Sequence, residues 1–271
     1  MCENAINTVI DNKGLEQKRI LLAEDVKLNQ YIAQRILESW GCEVTIANDG
    51  KEALRLLQQN SFDCILMDVQ MPELDGIAAT ELIRKLPDQK KSTIPIIALT
   101  ANALAGDKEK YTIAGMNDCL AKPIDEEKLF SVISKNLSQK FYSSQEKSTE
   151  NNQEVPAILQ EKLYDLSMVL SVSGGNKEFI KKMIALFIET VPQNATELKK
   201  SAESENWEQV AKIAHKLKST IDSMGIKTLH QDIRSVESNA KQKTNLSAIY
   251  PLIQKIESVI DHCVQQLQSE L

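Results

Sequence analysis

No stretch of this sequence approaches the ~20 apolar residues needed to cross a bilayer, so direct membrane insertion is not expected. Met1 to Leu15 lacks the basic start and apolar core of a secretory signal. The five cysteines, Cys2, Cys42, Cys64, Cys119 and Cys263, nowhere form a Cys-x-x-Cys pair. That argues against a zinc site or a disulfide framework and for a reducing, cytoplasmic setting. A basic surface is missing too. The net charge is −6, with −3 in residues 18–138, zero in residues 157–271 and the remainder in the tails. Neither half is basic enough to hold nucleic acid by charge. What remains is a globular chain of 271 residues, 42% hydrophobic and 26% charged, long enough for two domains each with a core.

The most informative stretch runs from Phe62 to Gly76. Cys64 to Met67 is a short apolar run that ends on Asp68, and a loop with Pro72 and Asp75-Gly76 follows. An unbroken apolar run fits a strand buried on both faces of a parallel sheet. The same alternation of types extends on either side. Ile20 to Ala23, Glu43 to Ala47, Ile94 to Leu99 and Asn117 to Ala121 read as further strands. Helical spacings lie between them, through Tyr31 to Leu37, from Asp49-Gly50 to Leu57, through Ile77 to Ile83, near Leu104 to Ile113, and from Asp125 to Leu137. Five strands alternating with five helices predict an α/β fold with a doubly wound parallel sheet.

Glu24-Asp25, Asp68, Thr100 and Lys122 each stand at the carboxyl end of a different predicted strand. A parallel sheet gathers those ends along one edge, where ligands bind, so the side chains should converge. Three clustered carboxylates repel and raise one another's pKa unless a cation joins them. Oxygen-only ligands suit Mg²⁺, which also accepts phosphoryl oxygens. Thr100 offers those oxygens a hydroxyl and Lys122 a point charge. The set reads as one that accepts a phosphoryl group on Asp68.

Residues 18–138 resemble the response-regulator receiver family, whose fold is flavodoxin-like. The resemblance rests on Leu-Ala-Glu24-Asp25, Met-Asp68-Val-Gln-Met-Pro72-Glu-Leu-Asp75-Gly76, Leu-Thr100-Ala101 and Ala-Lys122-Pro123. It implies that Asp68 is the phosphoacceptor and that Glu24 and Asp25 hold Mg²⁺ with the Gln70 carbonyl. It also implies that Thr100 binds the phosphoryl group and Lys122 pairs with it. Val26 to Gln30 looks most like receivers attached to hybrid sensor kinases. One position departs from the family. Cys119 stands three before the lysine, where most relatives carry a Tyr or Phe that reports phosphorylation. Two readings stand for it: a small buried thiol, or a redox-sensitive one beside the site.

Gln139 to Pro156 has no apolar pattern and reads as a polar linker after a lead-in over residues 1–17 and the receiver over 18–138. From 157 to 271 every pattern is helical, with segments at about 159–172, 177–203, 206–223, 227–241 and 246–268. Phe179, Met183, Phe187, Val191, Ala195 and Leu198 form a core stripe, and the segments together predict an antiparallel bundle. Ile213, Leu217 and Ile221 alternate with His215, so His215 is expected to face away from the core. Lys212, Lys218, Ser219 and Asp222 share its face. An exposed imidazole is a nucleophile near neutral pH, although such a residue is also an ordinary surface side chain. His230 and His262 read as ordinary helix residues.

His215-x-x-Lys218-Ser219 followed by Met224-Gly225, on a helical domain after a receiver, resembles a histidine-phosphotransfer (HPt) domain. That implies a four-helix bundle with His215 as phosphoacceptor. Many relatives carry Gly where Ser219 stands, and serine is a mild departure. The reading that follows is a two-component phosphorelay protein. An upstream sensor histidine kinase loads Asp68, and His215 passes the group to a downstream response-regulator receiver. No ATP-binding kinase region is legible in the sequence. Four alternatives stand beside it: a phosphate sink, a C-terminal piece of a hybrid kinase, an adaptor, and a haloacid-dehalogenase-type phosphatase. The last wants a second Asp where Gln70 stands.

Overall fold

The computed structural model describes residues 14–101, 105–137 and 162–271. The linker expected over 139–156 and most of the lead-in expected over 1–17 lie outside them. The chain forms two compact units.

The first unit is a five-stranded parallel sheet in the order β2-β1-β3-β4-β5. Its strands are β1 Arg19–Ala23, β2 Glu43–Ala47, β3 Cys64–Asp68, β4 Ile96–Thr100 and β5 Asp118–Ala121. Every residue of β3 and β4 is buried, which is why their sequences are apolar throughout rather than alternating. Among the described residues six helices flank the sheet: α1 Lys27–Ser39, α2 Gly50–Gln59, α3 Gly76–Arg84, α4 Gln89–Ser92, α5 Ala105–Ile113 and α6 Glu126–Leu137. Asp49 caps α2 by accepting the Glu52 amide, and Asp75 caps α3 by accepting the Ala78 amide, each at 2.8 Å. Of the lead-in, Leu15 is already buried and Gln17 donates its amide to the Gly41 carbonyl at 2.8 Å.

Two details depart from the sequence reading. The four-residue α4 is too short to show a helical period, and the fourth strand begins at Ile96 rather than Ile94. Pro95 has no amide to donate, and the Ile94 amide turns back to the Lys91 carbonyl at 3.4 Å. The strand therefore begins only after them, although the Pro95 carbonyl already accepts the Ile65 amide at 2.9 Å.

Register places the strand ends side by side. Ala23 pairs with Ala47 and Met67, Asp68 with Leu99, and Thr100 with Ala121. The strand order reverses between β1 and β3, and ligands of open α/β sheets bind at such a switch point. Gly76 fixes the loop that leaves β3. A Cβ there would lie 2.1 Å from the Asp68 carbonyl oxygen, so only glycine lets α3 start so close to the strand.

The second unit is helical: α7 Ser167–Ser173, α8 Lys177–Glu203, α9 Trp207–Ser223, α10 His230–Gln242 and α11 Ile249–Gln268. The four long helices α8 to α11 close a bundle, α8 packing on α9 and α11 and α10 packing on α9 and α11. The expected stripe on α8 is buried from Phe179 to Leu198. The first helix begins at Ser167, later than the sequence suggests. The Leu163 amide donates to Gln266 Oε1 at 3.1 Å and the Asp165 amide to the Met224 carbonyl at 3.0 Å. Those bonds hold the segment before Ser167 outside the helical ladder. Gly225 turns the chain between α9 and α10 at φ +61°, and a Cβ there would meet the Asp165 carbonyl at 2.6 Å.

Candidate functional site

The strand ends gather the expected set on the first unit. Glu24 directly follows β1, and its amide continues the ladder to the Ala47 carbonyl at 3.0 Å. Asp68 closes β3, Thr100 closes β4, and Lys122 follows β5 with its amide on the Thr100 carbonyl at 2.7 Å. One carboxylate oxygen from each of Glu24, Asp25 and Asp68 lies within 4.8 Å of the others. Glu24 is 1% exposed and Asp68 2%, whereas Asp25 is half-buried. Lys122 Nζ bridges the two buried acids, 2.5 Å from Asp68 Oδ2 and 2.6 Å from Glu24 Oε2. The Gln70 amide donates to Asp68 Oδ1 at 3.1 Å, so its backbone runs beside the same carboxylate.

The electrostatics show what this cluster lacks. Burial, with Glu24 adding to it, pushes the Asp68 pKa up to about 7 even though Lys122 works to lower it. Burial works against the Lys122 ammonium, but Asp68 and Glu24 outweigh it and hold its pKa above the ordinary lysine value. One lysine thus faces more negative charge than it neutralises. The donors are all oxygens, so the residues present fit a hard divalent cation. Such a cation, held by these carboxylates, would lower the cost of ionising Asp68. Thr100 is buried at the edge of this cluster, and its hydroxyl lies 2.9 Å from the Tyr111 hydroxyl.

Cys119, on β5, is half-buried against the core of the sheet. Burial raises its thiol pKa, with Lys108 acting against the rise. A raised pKa disfavours the thiolate.

The second cluster lies on the bundle, and it corrects one expectation. His215 does not face open solvent; it is 8% exposed. Helix α10 packs over the side of α9 that the spacing left polar, so Lys218 and Ser219 are buried there too. Lys212 alone of the expected neighbours stays outside, 2.6 Å from Glu208. Asp222 accepts both terminal nitrogens of Arg234, at 3.1 and 2.7 Å, and lies 3.5 Å from His230 Nε2.

Glu237 of α10 is the partner that sequence reasoning missed. Its Oε1 lies 2.8 Å from His215 Nδ1 and 2.6 Å from Lys241 Nζ, and its Oε2 lies 2.5 Å from Lys218 Nζ. Burial pushes the Glu237 pKa up, but His215, Lys218 and Lys241 together hold it well below the usual carboxylate range. An ionised carboxylate only accepts, so Nδ1 must carry the proton. A neutral ring with its proton on Nδ1 would carry its lone pair on Nε2.

An edge of acids, hydroxyl and lysine on a doubly wound sheet, with an oriented histidine on a helical bundle, defines a phosphorelay class of protein. Comparison with known proteins agrees. Residues 20–134 match the response regulator receiver domain and residues 182–270 the Hpt domain. The chain thus carries a receiver domain followed by an Hpt domain. The histidine-protein kinase BarA of Escherichia coli K12 is 28% identical over 264 residues, covering 97% of this chain. The aerobic respiration control sensor ArcB of the same organism is 30% identical over 234 residues, covering 84% of it. The chain spans 28% of the length of each of these relatives. Among solved structures, the receiver domain of the sensor kinase PA1611 from Pseudomonas aeruginosa, with magnesium in its cleft, is 43% identical. That match covers 45% of this chain and 98% of that one, with a TM-score of 0.42.

Proposed function

We propose that Asp68 receives a phosphoryl group from the phosphohistidine of a sensor kinase, and that His215 relays it to the aspartate of a downstream response regulator. The observation that carries the reading is Asp68 itself, a buried carboxylate between Lys122 and two further acids at the switch point of the sheet. Glu24, Asp25 and Asp68, with the Gln70 carbonyl, would hold Mg²⁺, whose charge offsets that of the phosphoryl oxygens.

In the first transfer a phosphorus–nitrogen bond on the kinase histidine breaks as an Asp68 carboxylate oxygen bonds to phosphorus. Lys122 Nζ is placed to pair with the phosphoryl group, and the Thr100 hydroxyl to donate to it. In the second transfer the His215 Nε2 lone pair attacks phosphorus and the Asp68 oxygen leaves as carboxylate. Phosphorylated His215 keeps its Nδ1 proton on Glu237, which stabilises the ring through the exchange. The same two acceptors serve in either setting, as a separate relay protein or as the corresponding stretch of a hybrid kinase. A cytoplasmic location belongs to the same proposal, since Cys42, Cys64, Cys119 and Cys263 are all free thiols. Among the described residues no helix is long and apolar enough to cross a membrane.

Incubation with acetyl phosphate and Mg²⁺, read by intact mass, tests the first acceptor. The chain should gain one phosphoryl group that chelator or Asp68→Ala abolishes and Thr100→Ala slows about tenfold or more. Labelling that survives the chelator or Asp68→Ala would overturn the assignment.

A further inference from the structure

Tyr111 lies on α5, outside the set of strand-end residues, yet its phenol reaches into the site. The ring is buried, 6% exposed, in the core cluster that also holds Ile83, Ile96, Ala98 and Met116. Its hydroxyl is 2.9 Å from Thr100 Oγ1, and both residues are buried. A buried phenol needs a polar partner, and the Thr100 hydroxyl, at the edge of the Asp68 cluster, is one. Strand β5, Asp118–Ala121, carries no aromatic beside β4, with Cys119 in register with Ala98 and Ala121 with Thr100, so the aromatic beside Thr100 comes from α5.

Each hydroxyl carries one proton, and this decides what happens when a phosphoryl group arrives. Before phosphorylation either oxygen can donate to the other. Phosphoryl oxygens only accept, so the Thr100 proton must point to the phosphoryl group. The Thr100 oxygen can then only accept from Tyr111, and the polarity of the pair is fixed. The result is a chain from the Tyr111 hydroxyl to the Thr100 hydroxyl to a phosphoryl oxygen, in which each hydrogen bond polarises the next.

We propose that Tyr111 is a positioning residue for the Asp68 site, orienting the Thr100 hydroxyl toward the phosphoryl group and tying α5 to its arrival. This rests on the reading of Asp68 as phosphoacceptor. Tyr111→Phe keeps the ring and removes one neutral hydrogen bond, so labelling by acetyl phosphate should slow about two- to tenfold. Loss of core packing could also slow labelling, and dependence on Thr100 separates the two. In a Thr100→Ala background the chain of hydroxyls is already gone, and Tyr111→Phe should add nothing. In Thr100→Ser the hydroxyl is kept, and the penalty should return.

All variants are made in the whole chain and compared at equal folded fraction by thermal melt. Wild-type chain labelled at Asp68, with Tyr111→Phe labelled just as fast, sinks the inference and leaves the phosphoacceptor reading intact. A Tyr111→Phe effect equally large with and without the Thr100 hydroxyl also sinks it. If the wild-type chain is not labelled at Asp68, the two fall together.

Discussion

Glu237 follows Ile233 and Val236 and precedes Ala240, all buried, so it sits on the apolar side of α10. A carboxylate there is costly unless it is paired, and His215, Lys218 and Lys241 are the pairs. Glu237→Ala would leave two lysines close together without their counter-charge and should destabilise the bundle by about 3–5 kcal/mol. Glu237→Gln keeps the shape with weaker, neutral hydrogen bonds, and should slow transfer through His215 about tenfold. Acid tests the same pairing. The folded-state pKa of Glu237 is depressed from its ordinary 4.5, so its contribution to stability is fully present above that value and is lost as pH falls below it. Thermal melts of the bundle between neutral pH and about pH 3 should therefore fall more steeply for wild type than for Glu237→Gln. Parallel curves would show that the carboxylate does not hold this cluster. Nothing local in the sequence announced Glu237. The polar face of α9 was legible, but what covers it comes from the next helix, a tertiary choice that spacing alone does not encode.

At the scale of elements the sequence was most legible where burial is one-sided or complete. The second strand has the expected bounds, Glu43–Ala47, and the apolar run before Asp68 is a strand buried along its whole length. The helices of the bundle followed their 3.6-residue stripes because each must bury one face. Boundaries failed where backbone chemistry or a distant partner intervened, as at Pro95 and before Ser167. Arg84 shows a second kind of element-level control. From the end of α3 it donates to the carbonyls of Gly115, Ser92 and Ile94 and to Asn117 Oδ1, at 2.8 to 3.0 Å. One planar guanidinium therefore ties α3 to the entries of β4 and β5, at the end of the sheet away from Asp68. Arg84→Ala should cost the receiver about 2–3 kcal/mol, and Arg84→Lys should recover little because one ammonium cannot match that fork. Urea unfolding of the variants reads this directly. A midpoint unchanged by Arg84→Ala would reduce the residue to a solvated surface arginine.

Over the whole molecule, the two proposed acceptors, Asp68 and His215, differed in how far they could be read. Asp68 and Thr100 close strands of a parallel sheet and Glu24, Asp25 and Lys122 lie within two residues of strand ends, so topology brings them together. His215 was legible from its motif, but not its burial or the Glu237 carboxylate beside its Nδ1. Placing both acceptors on one chain makes a specific demand on the order of transfer. If His215 hands the group onward, His215→Gln should still gain an acyl phosphate on Asp68 at the wild-type rate when supplied with the upstream kinase. It should fail to label a cognate downstream receiver above background. Acyl phosphates are lost in base and phosphohistidine in acid, so sequential base and acid treatment of the labelled chain assigns each product to its residue. Wild-type chain should show both classes of label, and His215→Gln only the base-labile one. Downstream labelling that persists in His215→Gln at the wild-type rate would mean that Asp68 donates directly, leaving the Glu237 cluster a structural feature of the bundle.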